Sequence, residues 1–292
     1  MPVLLLYLSV VLIWGSTWFV IPFQFGEVAN ELSVAYRFGI AAVLLYAYAL
    51  LTRRKIALPK SAYLFVFIQG TLLFSLNYFL VYYGTAYITT GLVAVVFSTV
   101  VLFNAMFSRL FFGTPLETRV LIAAVIGFTG IALIFWPEVT VVSLADDTVV
   151  GVAFILVATM IASLGNMAAV VNTRHELPVV AVNAHAMAWA TITSIVIALL
   201  LGRKLNFSWE PAYLYSLAYL AVFGSAIAFG CYLALIRRIG AAKAAYSSVL
   251  FPVVALGLST LFEDYKWTVT AVVGIILTLI GNWLILNRPV KK

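Results

Sequence analysis

Residues Val10–Phe23, VVLIWGSTWFVIPF, extend an apolar run that begins at Val3. The run is long enough for a membrane span, which needs about 20 apolar residues. Its middle, however, is Trp14-Gly15-Ser16-Thr17-Trp18. Hydroxyls gain nothing from lipid, and tryptophan prefers the headgroup level to the bilayer centre. A span with this centre must face something other than acyl chains at mid-depth.

The rest of the chain is of the same kind. Of its 292 residues 65% are hydrophobic and 9% charged, and the mean hydropathy is +1.13. A soluble domain carries roughly 25% charged residues. Ten spans are predicted, at 3–22, 32–51, 62–83, 88–112, 116–135, 149–170, 178–200, 212–235, 241–262 and 267–286. The expected fold class is therefore an all-α integral membrane protein. The alternating ten-residue strands of an outer-membrane barrel are missing from the sequence. The first segment, MPVLLLYLSVVLIW, has neither a basic start nor a small-residue cleavage site, and reads as a retained span rather than a signal peptide. The single cysteine, Cys231, falls inside a span and reads as a packed thiol.

Charge gives the expected orientation. With the amino terminus inside, thirteen of the seventeen basic residues fall on the side that holds both termini. Eight of the ten acids fall on the other side. Lys and Arg accumulate in cytoplasmic loops, so both termini are expected in the cytoplasm of a multi-pass inner (plasma) membrane protein. The net charge of +7 is thus a matter of topology. The bases are scattered over separate loops and form no nucleic-acid-binding face.

The chain also repeats itself. LIWGSTW from Leu12 aligns with ASLGNMA from Ala162, NELSVA from Asn30 with HELPVV from His175, and Gly130 with Gly281. The matches are collinear, which divides the chain into 1–148 and 149–292. Five spans is an odd number, so the second repeat is expected upside down relative to the first. Inverted repeats recur in secondary transporters, whose substrate site lies near mid-bilayer between them.

LIWGSTWFV in span one, AYRFGIAAVLL from Ala35 in span two and the closing stretch from Gly224 to Leu286 resemble the drug/metabolite transporter superfamily. The closing stretch resembles an EamA-type repeat, with Pro252, Glu263, Gly274 and Gly281. The resemblance implies ten helices, paired inverted repeats and a central cavity. Within the superfamily the chain is most similar to the YddG-type exporters of aromatic and other amino acids. The first half departs from the pattern: Val100-Val101-Leu102-Phe103 stands where the second half has Phe251-Pro252, and Gly113-Thr114-Pro115 where it has Glu263. The two halves are therefore expected to bend differently.

Polar side chains inside a span turn to the bundle interior or to a wet cavity. On this ground the substrate-binding candidates in the first half are Trp14, Thr17, Asn77, Tyr78, Tyr82 and Ser98. Those in the second half are Asn166, Tyr232, Tyr246 and Ser247. Tyr78 and Tyr82 stand four apart and share a helical face. Pro252 lacks the N–H that would bond the Ser248 carbonyl, so span nine is expected to kink there and to supply a hinge. Gly15, Gly165, Gly127, Gly130, Gly274 and Gly281 read as packing faces.

No acid stands in the middle of a predicted span. Small multidrug-resistance proteins of the same superfamily use a buried glutamate for proton exchange, and span one has none. Phosphate carriers need buried cations. Arg37 and Lys243 lie near span ends, where snorkelling to the interface is the expectation. His185 could titrate but reads as a packing residue. An uncharged aromatic cavity points to a neutral or zwitterionic solute of modest size, and together with the resemblance it implies neutral and aromatic amino acids, exported by alternating access without obligatory proton coupling. The alternative is another small uncharged metabolite such as a sugar, a nucleoside or a drug-like compound. An enzyme would need clustered His, Asp or Glu, and no cofactor or metal motif is present in the sequence. A channel would differ from a carrier by lacking saturable counterflow. The partners expected are a small-molecule substrate and the lipid bilayer.

Overall fold

The structure is a computed structural model describing residues 1–88, 93, 96–134, 136, 146–262 and 267–286. Glu263 and Glu138 lie outside the described residues. Among those described there is no β-strand. The first half contains α1 (Val3–Val20), α2 (Asn30–Leu51), α3 (Lys60–Gly84), α4 (Val100–Phe112) and α5 (Thr118–Ile134). The second contains α6 (Asp146–Arg174), α7 (Val179–Leu200), α8 (Pro211–Ile239), α9 (241–262) and α10 (Val269–Leu286). By length and composition α2, α3, α6, α7, α8 and the stretch Ala241–Leu258 of α9 can cross a membrane. The others are shorter apolar helices.

The outer surface of the bundle is apolar. Leu50, Leu200 and Val269 are 75%, 81% and 81% exposed, and they belong to a much larger population of exposed Leu, Ile, Val and Phe. Water would not tolerate a continuous surface of this kind, whereas acyl chains match it. Helix ends carry the local signals for stopping. Gly113 closes α4 at φ +64° and Gly240 joins α8 to α9 at φ +81°, a region that side chains with a Cβ rarely enter.

Helix packing follows the small residues. α5 runs against α10 with almost no side chain between them: a Cβ on Gly130 would stand 2.6 Å from the Gly274 carbonyl. α2 packs on α7, α1 on α8 and α9, and α6 on α3 and α4. Exchanging each helix for the one five places later returns the same set of neighbours.

Irregular backbone sits at matching places in both halves. α3 is π-helical over Gly70–Leu76 and α8 over Val222–Ile227. Such bulges free carbonyls from the ladder and gather at functional sites. α9 is α-helical over Ala241–Ala245, 3-10 over Tyr246–Leu250 and α-helical again over Phe251–Phe262. The Ser248 carbonyl, which Pro252 cannot serve, accepts instead from Phe251 N–H. In the first half the matching stretch is a turn at Ser98 and Thr99, ahead of α4, rather than a 3-10 segment. Entry to α4 has the same tight bonding, Val101 N–H to Ser98 at 3.3 Å and Leu102 N–H to Thr99 at 2.9 Å. A hydroxyl accompanies both breaks: Thr99 Oγ1 donates to Val96 O at 2.6 Å, and Ser247 Oγ to Ala244 O at 2.8 Å. Such back-bonds bend helices without proline.

Candidate substrate cavity

The polar middle of α1 faces inward. Trp14 and Thr17 border a central cavity together with Asn77 and Tyr78 of α3, Asn166 of α6, Tyr232 of α8 and Ser247 of α9. Seven of the ten predicted binding residues therefore meet around one space. Its volume is about 90 Å³, room for roughly three waters at about 30 Å³ each. The wall is aromatic. The Trp14 ring lies 4.6 Å from Phe229, 5.1 Å from Tyr232 and 5.8 Å from Phe251, edge-on or tilted to each. Its Nε1–H donates to Gly224 O at 2.9 Å, a carbonyl on the π-helical stretch of α8. Ser16 turns aside to Tyr219 Oη at 2.6 Å.

Behind the cavity, Asn166 joins a polar knot centred on a residue that the sequence candidates omit. Asn104, in the middle of α4, is fully buried. Its Oδ1 accepts from Ser163 Oγ at 2.6 Å and from Asn166 Nδ2 at 3.3 Å, and its Nδ2 donates to Ala241 O at 3.3 Å. The signal was available as a lone amide inside VVLFNAMF. With the nitrogens so engaged, three polar atoms on cavity-lining residues have no partner: Asn77 Oδ1, Asn166 Oδ1 and Ser248 Oγ. Buried polar atoms are nearly always paired, with protein or with ordered water, so these three are open to a water or a solute in the cavity.

Three predicted residues stand elsewhere. Tyr246 points into the seam between α5 and α10, where its hydroxyl donates to Ala123 O. Tyr82 packs edge-on against Phe25 at 5.4 Å. Ser98 is buried at the entry to α4, away from the cavity lining. Pro252 follows the cavity residue Phe251 and does not itself line the space. His185 Nδ1 is 2.9 Å from Ala181 O, and the ring sits between Tyr46 and Tyr63, outside the cavity. Snorkelling is corrected for Arg37. Its start-of-helix position is enclosed by α7 and α8, and the residue is only 1% exposed. Lys243 instead pairs with Glu117 at 3.5 Å in a partly exposed setting.

The two ends of the bundle differ. At the end opposite the basic loops, Glu31 is fully buried in the first turn of α2 and accepts from Tyr83 Oη at 2.6 Å. Arg203 reaches the same pair, 2.7 Å from Tyr83 Oη and 3.8 Å from Glu31. Gln24 Nε2 adds bonds to Ser216 Oγ at 2.5 Å and Tyr213 O at 3.1 Å. At the basic end a wider vestibule of about 540 Å³ opens among Phe112, Glu117, Arg174, Arg237 and Lys243. It reaches Ala241, whose carbonyl is held by Asn104. Replacing Tyr83 by Phe removes a bond to a buried carboxylate and is expected to cost about 1–3 kcal/mol. Thermal unfolding of purified protein measures this, and an unchanged midpoint would mean that this end is held by other contacts.

Comparison with known proteins fixes the class. The model of the EamA-like transporter family matches this chain twice, over residues 1–136 and 149–287. The chain belongs to the EamA-like transporter family. This EamA protein is thus a membrane transporter, and its family is one of transporters rather than enzymes. It is 30% identical to YedA of Escherichia coli strain K12, described as an uncharacterised inner membrane transporter, over 96% of this chain and 91% of that one. It is 23% identical to the uncharacterised transporter YoaV of Bacillus subtilis strain 168, over 97% and 96% of the two chains. Protein PagO of Salmonella typhimurium strain LT2 is 23% identical, over 99% and 95%. A solved crystal structure superposes with TM-score 0.78 at 17% identity, covering 97% of this chain and 95% of its own, so the EamA fold itself has an experimental counterpart.

Proposed function

We propose that the chain exports neutral and aromatic amino acids by alternating access, with two inverted five-helix repeats, 1–148 and 149–292, enclosing the substrate. The observation that carries the substrate class is the cavity wall itself. Six of its seventeen lining residues are aromatic, and the unpaired Asn77 and Asn166 oxygens are acceptors suited to an ammonium group. The twofold match to the family and the neighbour pattern that survives exchange of the halves support the repeat. Placement in the inner membrane draws on the description of YedA. Termini in the cytoplasm follow from the basic loops, and the vestibule at that end is then the route by which cargo arrives.

A cavity of about 90 Å³ is too small for an aromatic amino acid. The space must widen when cargo enters, and the 3-10 break in α9, just before Pro252, is the joint we assign to that movement. Half of the exchange is then a mirror of the other half, which gives a carrier rather than a pore.

Counterflow tests the reading. Proteoliposomes loaded with unlabelled phenylalanine are expected to accumulate labelled phenylalanine transiently, saturably and without a pH gradient. In the same assay Pro252→Ala is expected to slow exchange while leaving half-saturation unchanged. A strict need for a pH gradient would reject uncoupled transport and bring His185 forward. Counterflow of sugars or nucleosides in place of amino acids would replace the substrate class. Flux without counterflow would replace the carrier.

A further inference from the structure

Arg37 is the one cation that the described residues place deep in the bundle. It is 1% exposed, and no described carboxylate forms an ion pair with it. Its Nε donates to Ser225 Oγ at 2.8 Å and one terminal nitrogen to Gly224 O at 3.2 Å. Both acceptors are neutral and both belong to the π-helical stretch of α8. The other terminal nitrogen, NH1, makes no hydrogen bond of good geometry, with only the Tyr78 and Tyr82 hydroxyls beside the guanidinium. A buried charge left partly unpaired carries a heavy desolvation cost unless an opposite charge arrives.

The surroundings place this cation one layer behind the cavity wall, of which neither it nor Tyr82 is a lining residue. The Tyr78 ring, which borders the cavity, lies 4.7 Å beneath the guanidinium carbon. The Tyr82 hydroxyl faces the same guanidinium as a side-chain hydrogen-bonding neighbour, and its own O–H meets no acceptor. A donor hydrogen therefore remains beside the positive charge. On the remaining side only Gly224 separates Arg37 from cavity-lining Thr17: a Cβ there would stand 3.0 Å from Thr17 Cγ2 and 3.1 Å from the Arg37 nitrogen. The Gly224 carbonyl is shared between Arg37 and Trp14, which ties the cation to the wall. Packing alone does not call for arginine at this place. In the register of NELSVA over HELPVV its counterpart in α7 is Val182, buried and apolar.

We propose that Arg37 is the anion subsite of the transport path, its guanidinium and the Tyr82 hydroxyl taking a carboxylate of a cargo whose apolar part lies among Trp14, Tyr78 and Phe229. A single fixed cation matches a monoanion, and guanidinium and carboxylate suit one another geometrically. This inference deepens the amino-acid reading and rests on it. The ammonium would meet Asn77 and Asn166 while the carboxylate meets Arg37. Uncharged sugars and nucleosides have no use for this cation.

The test is a thermal-shift titration of the purified full-length protein with three probes: phenylalanine, phenylalaninamide and 3-phenylpropionate. A ligand that binds the folded state raises its unfolding midpoint. In the unaltered chain phenylalanine and 3-phenylpropionate are expected to bind, and the amide about tenfold more weakly than phenylalanine. Arg37→Gln is expected to abolish that preference, and Arg37→Lys to keep part of it. Should Arg37→Gln fail to fold, the acid-against-amide comparison in the unaltered chain and in Arg37→Lys still decides. Equal binding of acid and amide in the unaltered chain overturns the proposal. So does a preference that survives Arg37→Gln, and so does failure of both acids to bind. If phenylalanine fails but 3-phenylpropionate binds through Arg37, the amino-acid reading falls and the anion subsite stands. If phenylalanine binds with no dependence on Arg37, the outcome is reversed.

Discussion

Trp14→Ala is expected to weaken binding of an aromatic amino acid about a hundredfold while the bundle still folds, a change of about 2.7 kcal/mol. The size follows from what the indole does. It presents its surface to the cavity and holds Phe229, Tyr232 and Phe251 in edge-on or tilted contact, geometries worth about 0.5–1.5 kcal/mol per pair beyond buried area. Removing it both deletes the platform for the cargo ring and lets three other rings relax into the vacated space. Trp14→Phe separates the two contributions. A ring remains, but the bond from Nε1 to Gly224 O is lost, and a net loss of about 0.5–1.5 kcal/mol corresponds to roughly tenfold or less. The half-saturation constant for counterflow measures both variants. If Trp14→Ala leaves it unaltered for every amino acid tested, the cargo does not touch this wall and the site lies elsewhere.

Much of the site could be read from polarity alone. Trp14, Thr17, Asn77 and Asn166 stand out because hydrocarbon gives them no partner, and each does border the cavity. Depth and direction were harder to read. The sequence places Tyr246 and Ser247 side by side, and a continuous α-helix assigns neither to the cavity over the other. In the structure they lie on a 3-10 turn of five residues. Neighbouring residues there point about 120° apart instead of about 100°, so the two cannot share a face. Ser247 ends at the cavity and Tyr246 in the α5–α10 seam. Arg37 was misplaced for another reason. Its distance from the helix end was read as distance from the lipid surface, whereas α7 and α8 wrap that part of α2 and leave the side chain no route to the interface. The π-helical stretches leave no mark in hydrophobic periodicity, so the free Gly224 carbonyl, which holds both Trp14 and Arg37, appears only with coordinates.

Folding and transport are both expected to answer to the α3–α6 crossing. At Gly165 a Cβ would stand 2.7 Å from Leu73 Cβ, 2.8 Å from its backbone nitrogen and 3.0 Å from its Cα. A flexible side chain could swing away; the backbone of a buried π-helical stretch cannot. Gly165→Ala is therefore expected to cost about 1–3 kcal/mol through overpacking, several degrees in the unfolding midpoint. Gly165→Leu is expected to yield no monodisperse protein. Gly257→Ala is the matched control: nothing lies within 4 Å of its added methyl, and replacing a helical glycine gains up to about 1 kcal/mol. Thermal unfolding of the purified variants compares them, and equal midpoints for the two alanine variants would show that α3 yields at this crossing. Transport adds a second readout. Leu73, Asn77 and Tyr78 all line the cavity from the helix that Gly165 admits, so pushing α3 outward displaces one wall of the site. Gly165→Ala should then weaken cargo binding under conditions where the chain is still fully folded, an effect that a purely structural glycine would not produce.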